Sequence, residues 1–194
     1  MTRKIALGST LAAALIAGTA ATAFAQSEEM SNPTVGGAPM MADMTIVENA
    51  SAAPNLTTLV AAVQAAGLVD TLAGEGPFTV FAPTNDAFGM IKEDSLNALL
   101  MEENKDQLTQ ILTCHVVAAE AFSTDIAGMI EDDGGMHVVP TVGGCELKAY
   151  MEGGELKLED ENGRVATVTT ADVDQSNGVV HVIDRVILPS GQAG

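Results

Sequence analysis

Three glycine turns punctuate the second half of this chain, and they constrain its fold more than any other feature. Gly153-Gly154, Asn162-Gly163 and Asn177-Gly178 each separate two runs of strand-forming residues. Such dipeptides supply the positive φ that tight hairpins need. Before the first turn, Leu147, Ala149 and Met151 alternate with polar residues; after it, Leu156 and Leu158 do the same. A β-branched run from Val165 to Val173 follows the second turn, and Val179–Ile183 with Val186–Leu188 follows the third. Period-two alternation places one face on a core, so this half reads as an antiparallel meander. The last run is apolar on both faces and is expected at the centre of a sheet.

The first half has the other period. Leu56, Leu59, Val60 and Val63 share a helical face that Gly67 ends, with Asn55 as the expected N-cap. A short helix is expected around Thr45 to Ala50. Another, capped by Asp94 or Ser95, carries Leu96, Leu99 and Leu100, and Leu108, Ile111 and Leu112 form a further helical stripe. Between them, Phe78–Phe81 reads as a short strand bounded by Gly76-Pro77 and Pro83. Helices followed by an antiparallel meander make the fold class α+β.

The N-terminus reads as an address. Arg3 and Lys4 precede an apolar stretch from Ile5 to Ala17, and Ala23-Phe24-Ala25 offers a small-x-small cleavage site. Residues 1–25 are therefore expected to be a signal peptide, and the mature chain secreted or periplasmic. The apolar stretch is too short for a membrane anchor. Residues 26–42, with Glu28-Glu29, Asn32-Pro33, Gly36-Gly37 and Pro39, are expected to be a flexible tail; the domain proper spans 43–190, and 191–194 form a short C-terminal tail.

Charge narrows the partners. The chain carries 26 acidic and 8 basic side chains, a net −18 that becomes −20 once Arg3 and Lys4 are removed. Nucleic acid and anionic membrane would repel such a surface. Two cysteines, Cys114 and Cys145, in an exported chain are expected to pair as a disulfide rather than stay as buried thiols. Closing about 30 residues would stabilise the fold by roughly 3–4 kcal/mol on chain-entropy grounds.

Two longer segments are specific. Gly76-Pro77-Phe78-Thr79-Val80-Phe81-Ala82-Pro83-Thr84-Asn85-Asp86-Ala87-Phe88 resembles the first signature of the fasciclin domain family. Asn177-Gly178-Val179-Val180-His181-Val182-Ile183-Asp184-Arg185-Val186-Ile187-Leu188-Pro189 resembles the second. The resemblance spans roughly Met44 to Pro189. It implies a wedge-like β-sandwich flanked by helices, and a non-enzymatic extracellular module for adhesion or matrix binding. It also nominates His115 and Asp184 as partner contacts, although Cys114-His115 stands where the family often has Tyr-His. The residues' own reading is more structural: Thr84 can cap a short helix with Asp86 at its positive end, and Phe78, Phe81 and Phe88 can enter the core.

Cys114 and His115, adjacent on an extended strand, would point to opposite faces and could not act as nucleophile and base. No nucleophile elbow, phosphate loop or H-E-x-x-H helix occurs. Asp172, Asp174 and Ser176 depart from a calcium loop, which needs glycine at its sixth place and glutamate at its twelfth. No enzyme activity, cofactor or metal site is expected. The acidic runs Glu131–Asp133 and Glu159–Glu161 read as solvated. Asn49-Ala50-Ser51 and Asn55-Leu56-Thr57 match glycosylation sequons. The expected function is adhesion to a carbohydrate, matrix polymer or cell-surface protein. The alternative is periplasmic copper handling through Met30, Met40, Met41 and Met44, whose thioethers suit Cu(I).

Overall fold

A computed structural model describes residues 32–192. The expected signal peptide, Met30 and the start of the expected tail lie outside the described residues. The rest of that tail is built into the domain. β1 (Thr34–Val35) and β2 (Ala38–Pro39) form a hairpin over Gly36-Gly37, both at positive φ. Val35 and Met40 sink into the core, and the Asn32 side chain exchanges two hydrogen bonds with the backbone of Asp174, at 2.6 and 2.8 Å. Buried side chains and paired amides override the breaker-rich composition, so from residue 32 onward the segment is not a free tail.

The helices follow the apolar spacing. α1 (Ile46–Ala52) opens on a capping box: Thr45 Oγ1 accepts from Glu48 N, and the Glu48 carboxylate accepts from Thr45 N at 2.8 Å. α2 (Thr57–Ala66) buries Leu59, Ala62, Val63 and Ala66, and ends at Gly67 in the left-handed region. Asn55 is not its cap. Asn85, far along the chain, accepts the Thr58 N–H at 2.9 Å instead. After α3 (Val69–Leu72) comes β3 (Phe78–Pro83), then α4 (Asn85–Gly89), capped by Thr84 accepting from Ala87 N at 3.2 Å. α5 (Glu93–Leu99) starts after Lys92, not at Asp94 or Ser95. α6 (Lys105–Thr113) buries Leu108, Ile111 and Leu112.

β4 (Val116–Val117) and α7 (Ser123–Asp132) then lead into the meander. It comprises β5 (His137–Pro140), β6 (Glu146–Glu152), β7 (Glu155–Glu159), β8 (Val165–Gln175) and β9 (Gly178–Ile183). The strand order is β4-β3-β9-β8-β7-β6-β5. All neighbours are antiparallel except β3 and β9, which run parallel in register from Phe78↔Gly178 to Pro83↔Ile183. The two signatures are therefore adjacent strands, and every residue of β9 is buried.

β8 slips in register against β9 between Val168 and Thr170 and again between Thr170 and Val173. Such bulges tighten twist and redirect a strand. Two cores form. The first packs Val80, Ala82, Val173, Val180 and Val182 against residues of α1, α2, α4 and α6. The second packs Phe81, Leu147, Ala149, Leu158, Ala166 and Ile183 against Ile126 and Ile130 of α7. The class is α+β, with a β wedge and several helices. Val142 N donates to Val116 O at 2.8 Å and Gly143 N to Thr113 O at 2.9 Å, fastening the far end of the meander back to β4 and α6.

Candidate functional site

Cys114 closes α6 in helical backbone geometry, and the following strand begins only at Val116. The extended-strand reading of Cys114-His115 is corrected on this point. Cys114 is disulfide-bonded to Cys145, with Cα atoms 5.4 Å apart. Gly143 lies against this joint: a Cβ there would sit 2.7 Å from both Cys114 N and Thr113 Oγ1.

His115 is 2 % exposed. Its Nδ1 lies 2.8 Å from Ile111 O, a carbonyl that can only accept, so Nδ1 carries the proton. Nε2 accepts the Ile187 N–H at 2.9 Å. Burial pushes the ring down to about 4, against the pull of the Ile111 carbonyl and the distant charge of Asp160. The expected partner contact at His115 thus falls on a neutral ring that is buried with both nitrogens satisfied inside the fold. It pins the segment after β9.

Asp160 completes that anchorage. Read from sequence as part of a solvated run, it is buried. Its Oδ2 accepts from Leu188 N at 3.2 Å and pairs with Arg164, while Oδ1 accepts from Asn162 N and Arg164 N. Asn162 Nδ2 donates to the carbonyls of Leu188 and Pro189. The hairpin turn flagged by Asn162-Gly163 therefore also holds the C-terminal run. Only the turn was legible; the long-range partners were not.

Asp184 sits half-buried just after β9. Its Oδ1 accepts from Thr167 N at 2.7 Å, and its N–H donates to Thr167 O at 3.1 Å. The contacts of His115 and Asp184 serve different joints.

His181, which sequence reading had not singled out as a site, is fully buried in β9 and stacks on Phe81 with ring centroids 5.7 Å apart. Nε2 donates to Ala121 O at 2.9 Å, and Nδ1 accepts from Asp172 N at 3.3 Å. Burial lowers its pKa. Asp172 adopts φ 58°, and its carboxylate accepts from Ser123 N at 2.6 Å and Ser123 Oγ at 2.5 Å. Thr79 Oγ1 donates to Ala119 O and accepts from Ala121 N. Together these groups clamp the segment entering α7. Ser123, Asp172 and His181 are close, yet the serine bonds the carboxylate and the imidazole bonds backbone. A nucleophile–base pair is not assembled.

The remaining candidates disperse. Asp174 offers backbone to Asn32, and Ser176 N donates to Met44 O. Among the described residues no three His, Cys, Asp or Glu side chains converge as a metal site. Of the methionine run, Met40 is in the core while Met41 and Met44 stand exposed. Asn49 is buried and bonded through its amide to Met41 and Gln175, which removes it as a glycan acceptor.

The polar residues of the two signatures stitch helices to the sheet. Asn177 Oδ1 accepts from Ile46 N, and its Nδ2 donates to Leu72 O and Gly74 O. Gly76 and Gly178 lie where the strands meet. A Cβ on either would come within 2.0 Å of a carbonyl oxygen, of Asn177 and Phe78 respectively. Beside this seam runs an open groove of about 400 Å³, lined by Thr45, Gly74–Pro77, Glu120 and Ser176–Gly178, with Glu75 and Glu120 as its carboxylates.

Comparison with known proteins places these features. The family model described as Fasciclin domain matches residues 54–189. The chain is 47% identical over 146 residues to Protein sll1483 of Synechocystis sp., covering 75% of this chain and 74% of that protein. It is 32% identical over 167 residues to the cell surface glycolipoprotein MPB83 of Mycobacterium bovis, covering 83% and 68%. The solved FAS1 domain pair from the insect cell adhesion molecule Fasciclin I matches with a TM-score of 0.67 at 21% identity, over 75% of this chain and about half (51%) of that chain. That likeness is one of fold.

Proposed function

The chain belongs to the fasciclin domain family, and from that premise we propose that it is an exported, non-enzymatic binding module that attaches at a cell surface or matrix. The observation carrying this reading is the division of its polar groups. The histidines at the two joints, His115 and His181, are buried and consumed by backbone hydrogen bonds. The surface is left to carboxylates. Residues 32–192 hold 24 acidic and six basic side chains, and among the acidic ones only Asp160 is buried. Three of the six bases, Lys148, Lys157 and Arg164, are already ion-paired.

Such a surface favours a partner that brings cations or a dense array of hydroxyls: a basic protein face or a matrix polysaccharide. The relative described as a cell surface glycolipoprotein supports the location. The leader read in residues 1–25 and the disulfide support export. Asp184 is the nominated contact that keeps an accessible edge. Asp184→Asn retains the acceptor for Thr167 N while removing the charge.

Beads bearing the mature chain, applied to the producing organism's cells and shed matrix, test the reading. Retention above charge-matched albumin beads is expected, falling several-fold between roughly 50 and 500 mM salt as charges are screened. Retention equal to albumin sinks the adhesive role; retention indifferent to salt sinks its electrostatic basis.

A further inference from the structure

Methionine is partitioned here against its habit. As an unbranched apolar residue it is ordinarily drawn into cores. Yet of the nine large hydrophobic side chains that stand exposed among the described residues, six are methionines: Met41, Met44, Met90, Met101, Met136 and Met151. The other three are valines, and no leucine, isoleucine or phenylalanine joins them. The buried set contains a single methionine, Met40, at 5 % exposure. Met129 is partly buried against the second core.

The six occupy places where the fold asks little of a side chain. Met41 and Met44 bracket a turn ahead of α1, Met44 N donating to Met41 O at 3.2 Å. Met90 closes α4, and Met101 precedes the 3-10 turn Glu102–Asn104. Met136 stands just before β5, and Met151 lies two residues before the Gly153-Gly154 turn. The chain has no tryptophan, and its two cysteines are bound to each other, so no free thiol competes. The thioethers are its readily oxidised side chains, and most of them face water.

We infer that these six methionines form a sacrificial sulfur surface that takes oxygen from hydroperoxides and peroxy acids while leaving the domain folded. In each event the thioether sulfur attacks the terminal peroxide oxygen. The S–O bond forms as the O–O bond breaks, and the leaving group departs as water, an alcohol or a carboxylic acid. Sulfur loses two electrons and the peroxide gains them. The sulfoxide is polar and accepts hydrogen bonds, which suits an exposed site and not a packed one. Only at Met40, beneath the β1–β2 hairpin, would the same product disrupt the first core.

The test is a stepwise titration of the full-length exported chain with peracetic acid, read by peptide mass mapping and thermal unfolding monitored by circular dichroism. A variant with all six converted to leucine is titrated in parallel, with N-acetylmethionine in both solutions as a competing reporter. The six sites are expected to gain oxygen before Met40, with the melting temperature moving by less than about 2 °C. The wild-type chain should spare the reporter, and the leucine variant should not. Oxidation of Met40 alongside the six, melting in the first equivalents, or equal sparing by the leucine variant each overturns the proposal. Bead retention is a separate readout, so the adhesive role and this one can fail independently.

Discussion

His115 shows how a polar residue in a recognition-like position becomes a structural fastener. Its donor and acceptor reach Ile111 and Ile187, two elements that no local sequence rule connects. The same contacts predict a pH dependence. The folded ring titrates near 4 against an ordinary 6.5, so between those values the unfolded chain binds the additional proton. The His115 contribution to stability is full above pH 6.5, declines as pH falls towards 4 by up to about 3 kcal/mol, and levels off below. His181, also lowered by burial, adds in the same direction. Glu48 and Glu161, held below the usual carboxylate range by hydrogen bonds to Thr45 and Ser190, act only at more acidic pH. Urea midpoints measured from pH 7.5 to 4 should slide downward. A His115→Gln variant should be weaker at neutral pH and show a shallower slope; a flat wild-type profile would refute the assignment.

At the scale of elements, the parallel β3–β9 seam governs. Each glycine beside it is forced by backbone proximity, so Gly178→Ala should cost about 3 kcal/mol or more, or prevent folding. Gly153, at positive φ in a hairpin with open space around it, should lose only about 1 kcal/mol on the same substitution. Denaturant unfolding of the two variants compares them directly, and equal costs would remove the seam's special standing. Asn85→Ala strips α2 of its long-range cap and frees Pro54 O and Thr57, a loss of about 1–2 kcal/mol. The disulfide ties the end of α6 to the start of β6 across 31 residues. Its removal by Cys114→Ser with Cys145→Ser should lower stability by about 3–4 kcal/mol, read from the unfolding midpoint against the oxidised chain. Alkylation without reductant should leave the native mass unchanged.

Across residues 32–192, an excess of carboxylates covers a sheet whose strands β3 and β9 send alternate side chains into two cores. No helix among the described residues is long and apolar enough to cross a membrane. Much of this was legible in the residues themselves. Alternation between Leu147 and Leu158, the three glycine turns and the helical stripes of α2 and α6 are local signals, because period and turn chemistry are properties of neighbouring residues. The two signature segments were readable for the same reason, as contiguous strings. What lay beyond local reading depends on distance along the chain: the pairing of β3 with β9, the cap that Asn85 lends to α2, the docking of residues 32–42, and the burial of His115, Asp160 and Asn49. α7 was missed because only Ile126 and Ile130 of its ten residues are buried, too thin a stripe to announce a helix. The sequence alone therefore determined the class of fold, the family and the sign of the surface. The tertiary structure decided which polar residues remain for partners, since burial is set by what packs over a side chain and not by its neighbours in the chain.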